Sequence, residues 1–208
     1  EAEVEYHDHT SHQVWVRFRP LDGRLDGASV LIWTTTPWTI PQNRAVAFGP
    51  TLSYGAYRVD SLGENSTAKV GELLVLGDAV AESVMKSARV EGFTRVRDVA
   101  VAELSGVYLA HPYRGLPDST GEWDFDVPML PGDHVTDDAG TGFVHTAPSH
   151  GDDDYQLGLK FGLPMTYNVE PDGTYRASLP VFGGQAILTP EGKEGPANVS
   201  NIKALHGA

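Results

Sequence analysis

The sequence predicts a β-dominated mixed α/β fold, a partly closed β-barrel with helical insertions. Three observations carry that expectation. Short segments rich in Val, Leu, Tyr or Phe recur along the chain, with Gly, Pro, Asp or Asn between them. Two segments alone have apolar residues at helical spacing. No internal repeat or low-complexity block divides the chain, so its 208 residues, 40% of them hydrophobic, are expected to close around one core.

The elements follow in order. Val14, Val16 and Phe18 alternate with Trp15, Arg17 and Arg19, the pattern of a half-buried strand, which ends at the turn Asp22-Gly23. Further strands are expected at residues 29–33, 45–48, 52–59, 72–76, 94–102, 107–111 and 142–146. Asp78 is placed to cap a helix running to Arg89, with Val80, Val84 and Met85 on one face. A second helix is expected from Asp152 to Phe161, with Tyr155 and Leu159 one turn apart. Beyond Pro164 the chain turns rich in Gly and Pro, turning at Pro171-Asp172-Gly173, with a loose stretch from Gly183 to Pro196, and residues 183–208 read as a surface connection.

Composition excludes several classes of function. There is no cysteine, hence no disulfide framework and no thiolate nucleophile, which is compatible with the cytosol. No run approaches the roughly 18 apolar residues of a membrane span, and Glu1-Ala2-Glu3-Val4-Glu5 lacks the basic and apolar regions of a signal peptide. A net charge of −13 repels phosphate backbones, so a nucleic-acid partner would be held mainly by something outside this chain.

Chemistry concentrates in two segments. Residues 31–42 read Leu-Ile-Trp-Thr-Thr-Thr-Pro-Trp-Thr-Ile-Pro-Gln, an apolar strand running into hydroxyl and indole groups between Pro37 and Pro41. Proline forbids continued ladder pairing and forces a turn that can aim several hydroxyls and N–H groups at one place. Threonine pairs a hydrogen-bonding oxygen with a methyl group, a combination suited to gripping a polar head while measuring a short aliphatic tail. Residues 140–155 read Gly-Thr-Gly-Phe-Val-His-Thr-Ala-Pro-Ser-His-Gly-Asp-Asp-Asp-Tyr, a strand and loop opening a helix with three carboxylates in its first turn. Asp152, Asp153 and Asp154 can each simply cap that helix, since its dipole favours anions there. A zinc site from His145 and His150 lacks any recognised ligand spacing, and Ser149 lacks the glycine elbow of a nucleophilic serine.

Together these motifs resemble the editing domain of isoleucyl-tRNA synthetases, in the class I aminoacyl-tRNA synthetase family. The resemblance rests on Trp33-Thr34-Thr35-Thr36-Pro37-Trp38-Thr39, on Gly140 through Pro148, and on Gly151-Asp152-Asp153-Asp154-Tyr155, and it runs from Val4-Glu5-Tyr6 to the Pro171 turn. The valyl and leucyl enzymes carry an Arg after two threonines in the first motif and lack His-Thr-Ala-Pro in the second. Neither His-Ile-Gly-His nor Lys-Met-Ser-Lys-Ser, the family's ATP-binding signatures, occurs here. The resemblance therefore implies a single excised editing domain over residues 1–208, with 183–208 leading back toward the catalytic domain.

It implies a function as well. A synthetic pocket separates isoleucine from valine by one methylene, about 1–3 kcal/mol, and a second sieve hydrolyses what is small enough to enter. By the family's pattern Asp154 binds the α-ammonium group, His145 and Thr39 beside Trp38 bound the side-chain pocket, and Trp33 is counted among the substrate-binding residues. Thr34, Thr35 and Thr36 contact the terminal adenosine and ester carbonyl and position the attacking water. Hydrolysis of an activated ester needs positioning and oxyanion stabilisation more than a strong base. No metal or cofactor is implied for this domain, ATP and magnesium belonging to the parent enzyme. The implied partners are the valine-bearing acceptor end of tRNA(Ile) and the rest of the synthetase, with a monomeric, cytoplasmic protein and no membrane. A noncatalytic docking module for the acceptor end is the competing reading.

Overall fold

A computed structural model describes residues 11–207; Val4-Glu5-Tyr6 lies outside the described residues. Strand β1 (Val14–Phe18) pairs antiparallel with β2 (Ser29–Thr34), with Val14 opposite Thr34 and Phe18 opposite Val30. The connection turns through left-handed Gly23 and a 3-10 turn, Arg24–Gly27. Strands β3 (Ala45–Phe48), β4 (Tyr54–Leu62), β5 (Leu73–Gly77) and β6 (Val90–Val99) follow. Then come β7 (Tyr108–Ala110), β8 (Asp126–Pro131) and β9 (Phe143–Thr146). They make a five-stranded sheet in the order β1-β2-β5-β4-β6 and a four-stranded sheet in the order β7-β8-β3-β9.

Both sheets are open, so the expected β-dominated α/β fold is present but closure into a barrel is not confirmed. Their backbones join at corners only. Pro20 bridges Leu109 through the bonds on either side, the Ala110 N–H to the Arg19 carbonyl at 2.7 Å and the Leu21 N–H to the Tyr108 carbonyl at 2.9 Å, and the pairing ends there. At another corner the Gly77 N–H donates to the Thr141 carbonyl at 2.9 Å, and Gly142, at φ 81°, comes so close to Gly77 that a Cβ there would lie 2.9 Å from the Gly77 backbone. A single bridge and a glycine contact join the sheets without closing them.

The main core lies between the sheets, where Phe18, Val30, Ile32, Val46, Phe48, Tyr54, Trp123, Met129 and Phe143 are buried. The opposite face of the five-stranded sheet buries Leu31, Tyr57, Leu74 and Leu76 under helix α1 (Ala81–Ser87), through Val84 and Met85. Strand β2 is thus covered on both faces, which is why residues 30–32 are apolar without alternation.

Other expectations shift for local reasons. Asp78 does not cap α1: its carboxylate takes the Tyr57 hydroxyl at 2.6 Å and the Arg95 guanidinium at 2.8 Å. The strand expected over 94–102 begins at Val90 and gives way to helix α2 (Val101–Leu104), where Glu103 accepts the Ala100 N–H at 2.8 Å. Strand β8 escaped the sequence reading because Pro128 and Pro131 argue against a paired strand. Helix α3 (Asp152–Phe161) has the expected bounds. The tail read as a surface connection is packed at its end: residues 196–207 form helix α4 (Pro196–Gly207), whose Ala197 and Asn201 are fully buried. Among the described residues no helix is long and apolar enough to cross a membrane.

Candidate functional site

The first motif folds as the sequence requires. Strand β2 stops at Thr34, and Pro37–Gln42 form a 3-10 turn with Pro37 at its start, where a missing N–H costs nothing. Alternation along β2 turns Thr34 to the main core face and Trp33 to the other, opposite Trp15, with its Nε1–H donating to Gln13 Oε1 at 3.1 Å. Trp33 therefore stands apart from the threonines. The Thr36 N–H donates to Thr34 Oγ1 at 3.0 Å, and the two hydroxyls lie 3.1 Å apart. Thr39 Oγ1 donates to the Thr36 carbonyl at 2.8 Å. Thr35 is exposed beside them.

The second motif joins this turn through His145. In β9 it lies opposite Val46, and its Nε2 is 2.8 Å from Thr39 Oγ1. Thr39 has already given its only proton to Thr36, so His145 must donate from Nε2–H, and the network assigns that tautomer. Its Nδ1 then accepts from Asn43 Nδ2 at 3.1 Å, while the same amide donates to the Ala45 carbonyl at 2.9 Å. Burial, with His150 adding to it, lowers the His145 pKa to about 4. A neutral imidazole with both nitrogens engaged is a wall rather than a base or a free metal ligand. Among the described residues no three His, Asp or Glu side chains gather as a metal-holding set.

Asp154 is built differently. The turn Ala147 to His150 is closed by the His150 N–H donating to the Ala147 carbonyl at 2.9 Å, and the Ala147 N–H donates to Asp154 Oδ2 at 2.8 Å. The carboxylate is half-buried, and burial raises its pKa above the usual carboxylate range, against the lowering effects of the Ala147 bond and His134. Asp152 and Asp153 are exposed in the same first turn. His150 meets the Trp38 indole edge-on, with ring centroids 5.0 Å apart. Thus Thr34, Thr36, Thr39 and His145 form one hydrogen-bonded group, and Trp38, His150 and the turn leading to Asp154 adjoin it.

Three supports were missed in the sequence. Asn43 fixes the imidazole, and its position directly after the Pro-Gln pair of the turn was the available signal. Tyr175 donates its hydroxyl to the Trp38 carbonyl at 2.5 Å, and Asn201 Nδ2 donates to that hydroxyl at 2.9 Å. Helix α4 therefore braces the Trp38 turn from a distance in sequence that no local pattern reveals. A cleft of about 640 Å³ lies elsewhere, between Trp15, Arg17, Leu31 and the α1 side chains Val84 and Met85.

No protein-family model matches the chain. It is 46% identical to an isoleucine–tRNA ligase of Bradyrhizobium diazoefficiens, with 99% of this chain and 21% of that protein aligned. Isoleucine–tRNA ligases of Ruegeria pomeroyi and Caulobacter vibrioides are 46% and 47% identical, each across 99% of this chain and 22% of their own length. The chain belongs to the isoleucine–tRNA ligase family. It spans about a fifth of the length of these relatives. Among solved structures, the fold is shared with the P. knowlesi cytosolic leucyl-tRNA synthetase editing domain, at a TM-score of 0.54 and 11% identity over 74% of this chain and 65% of that one. It is shared also with GlLeuRS-CP1, at a TM-score of 0.53 and 18% identity over 71% of this chain and 59% of that one.

Proposed function

We propose that this chain hydrolyses misattached valine from Val-tRNA(Ile). One observation carries the reading: His145 and Asp154, nine positions apart, flank a single closed turn, one as a neutral wall before it and the other as an incompletely partnered carboxylate after it that accepts the turn's Ala147 N–H. A substrate with an α-ammonium group and a short aliphatic side chain matches both. Asp154 takes the ammonium in a charge-assisted bond, and the Thr39–His145 wall limits the side chain. The linked Thr34 and Thr36 hydroxyls, with exposed Thr35, hold the ester end and a water molecule. An aminoacyl ester is activated already, so fixed donors suffice and no residue of the group needs to act as a strong base. The water attacks the ester carbonyl, the carbonyl–ribose oxygen bond breaks, and valine and tRNA leave.

The family membership and the shared fold of the editing domains support this reading. The test is deacylation of Val-tRNA(Ile) and Ile-tRNA(Ile) by the synthetase carrying this domain, wild type against His145→Ala. The expected result is valine release by the wild type and, in the variant, at least about tenfold faster release of isoleucine, the scale of one methylene. No gain of isoleucine release would remove the wall role, and no valine release by the wild type would favour simple docking.

A further inference from the structure

Most guanidinium groups in this acidic chain are matched to carboxylates: Arg17, Arg24, Arg58, Arg95, Arg97, Arg114 and Arg176 each make an ion pair. Arg19 and Arg89 make none among the described residues but are exposed. Arg44 is the exception. It is half-buried and has no carboxylate within ion-pair distance among the described residues. Its guanidinium lies 4.4 Å from the Phe125 ring centre, and Nη1 donates to the Asn43 carbonyl at 2.7 Å. The nearby carboxylate of Glu122 is taken by Arg176 at 2.9 Å. Burial pulls the Arg44 pKa down to about 10, with Arg176 lowering it further against Glu122. A desolvated, incompletely matched cation is costly unless something pairs with it.

Its position suggests what does. Arg44 directly follows Asn43, which holds His145, and its own N–H donates to the carbonyl of Thr146, the residue after His145, at 2.8 Å. The Arg44 backbone is thus bonded to the wall of the candidate site. Stacking on Phe125 occupies one guanidinium face and leaves edge donors that fit phosphate oxygens. We propose that Arg44 receives the phosphate on the 5′ side of the adenosine that bears the amino acid. This rests on the editing reading and adds a phosphate-binding position to it. It separates a tRNA end, in which the amino acid sits on the ribose and the phosphate is free to bind, from an aminoacyl adenylate, in which the amino acid occupies the phosphate itself.

The test compares stable analogues by calorimetry on this chain: valine amide-linked to 3′-amino-3′-deoxyadenosine with a 5′-phosphate, the same compound with a 5′-hydroxyl, and the sulfamoyl analogue of valyl-adenylate. The expected result is about tenfold tighter binding of the phosphorylated compound than of the other two, falling to about twofold or less in Arg44→Gln. An undiminished preference in a folded Arg44→Gln overturns the proposal. So does equal binding of the two amide analogues by the wild type, which leaves the editing reading intact. Failure of every analogue to bind overturns that reading and this one together. If Arg44→Gln does not fold, salt gives the same answer in the wild type: the phosphate preference must shrink as KCl is raised, and a salt-independent preference refutes an ionic contact.

Discussion

The two ends of the Ala147 turn treat polar groups in opposite ways. At His145 each nitrogen has a partner, the imidazole is held neutral by burial, and Thr39, Thr36 and Asn43 are linked around it. At Asp154 a charged group is half-buried with one backbone donor and a raised pKa. Hydrogen bonds on both nitrogens fix a ring and define shape, whereas an under-partnered charge retains affinity for a ligand. The first end can measure a side chain. The second can hold an ammonium.

Acid should break the wall first and most strongly. His145 titrates in the folded chain at about 4 instead of 6.5, so its neutral form is favoured by folding. That contribution is complete above pH 6.5 and is lost as pH falls toward 4, on the order of 3 kcal/mol. Fully buried His111 shifts in the same direction. Urea unfolding from pH 7 to pH 4 should therefore show a steep loss of stability that is reduced, not abolished, in His145→Gln.

Asp154→Asn separates charge from shape. The amide oxygen still accepts the Ala147 N–H, while the ammonium partner is lost, so a valyl-adenosine analogue should bind about 100-fold more weakly. The variant should not be less stable at pH 7. A carboxyl whose folded pKa is raised favours folding at low pH and loses that contribution as pH rises through the folded value. Parallel calorimetry and unfolding read both effects, and a destabilised variant with normal affinity would reverse the contrast between the two ends.

Asn43→Ala is the smaller perturbation of the wall. It removes the donor to His145 Nδ1 and to the Ala45 carbonyl, leaving buried acceptors unpaired, at about 1–2 kcal/mol. Unfolding midpoints should fall accordingly while analogue binding through Asp154 survives.

Much of this was readable in sequence because it is local. The Thr-Pro-Trp-Thr turn and the α3 carboxylates sit within motifs whose spacing fixes their geometry, and the β1, β3 and β9 segments carry plain strand patterns. What failed was long-range. Trp33 belongs to the Thr run in sequence but strand alternation sends it to the opposite face. The barrel is not confirmed because the sheets join only through the Pro20–Leu109 bridge and the Gly77–Gly142 contact, positions far apart in sequence. The brace from Asn201 through Tyr175 to Trp38 spans over 100 residues and leaves no periodic signal.

The most direct test of the paired ends is a crystal of this chain soaked with nonhydrolysable valyl-adenosine amide. The expected density places the ammonium nitrogen within hydrogen-bond distance of Asp154 and the valine methyl groups against the Thr39–His145 wall. The ligand seated instead in the cleft beside Trp15 and Met85, or bound with its ammonium away from Asp154, would contradict the division of roles between the two ends.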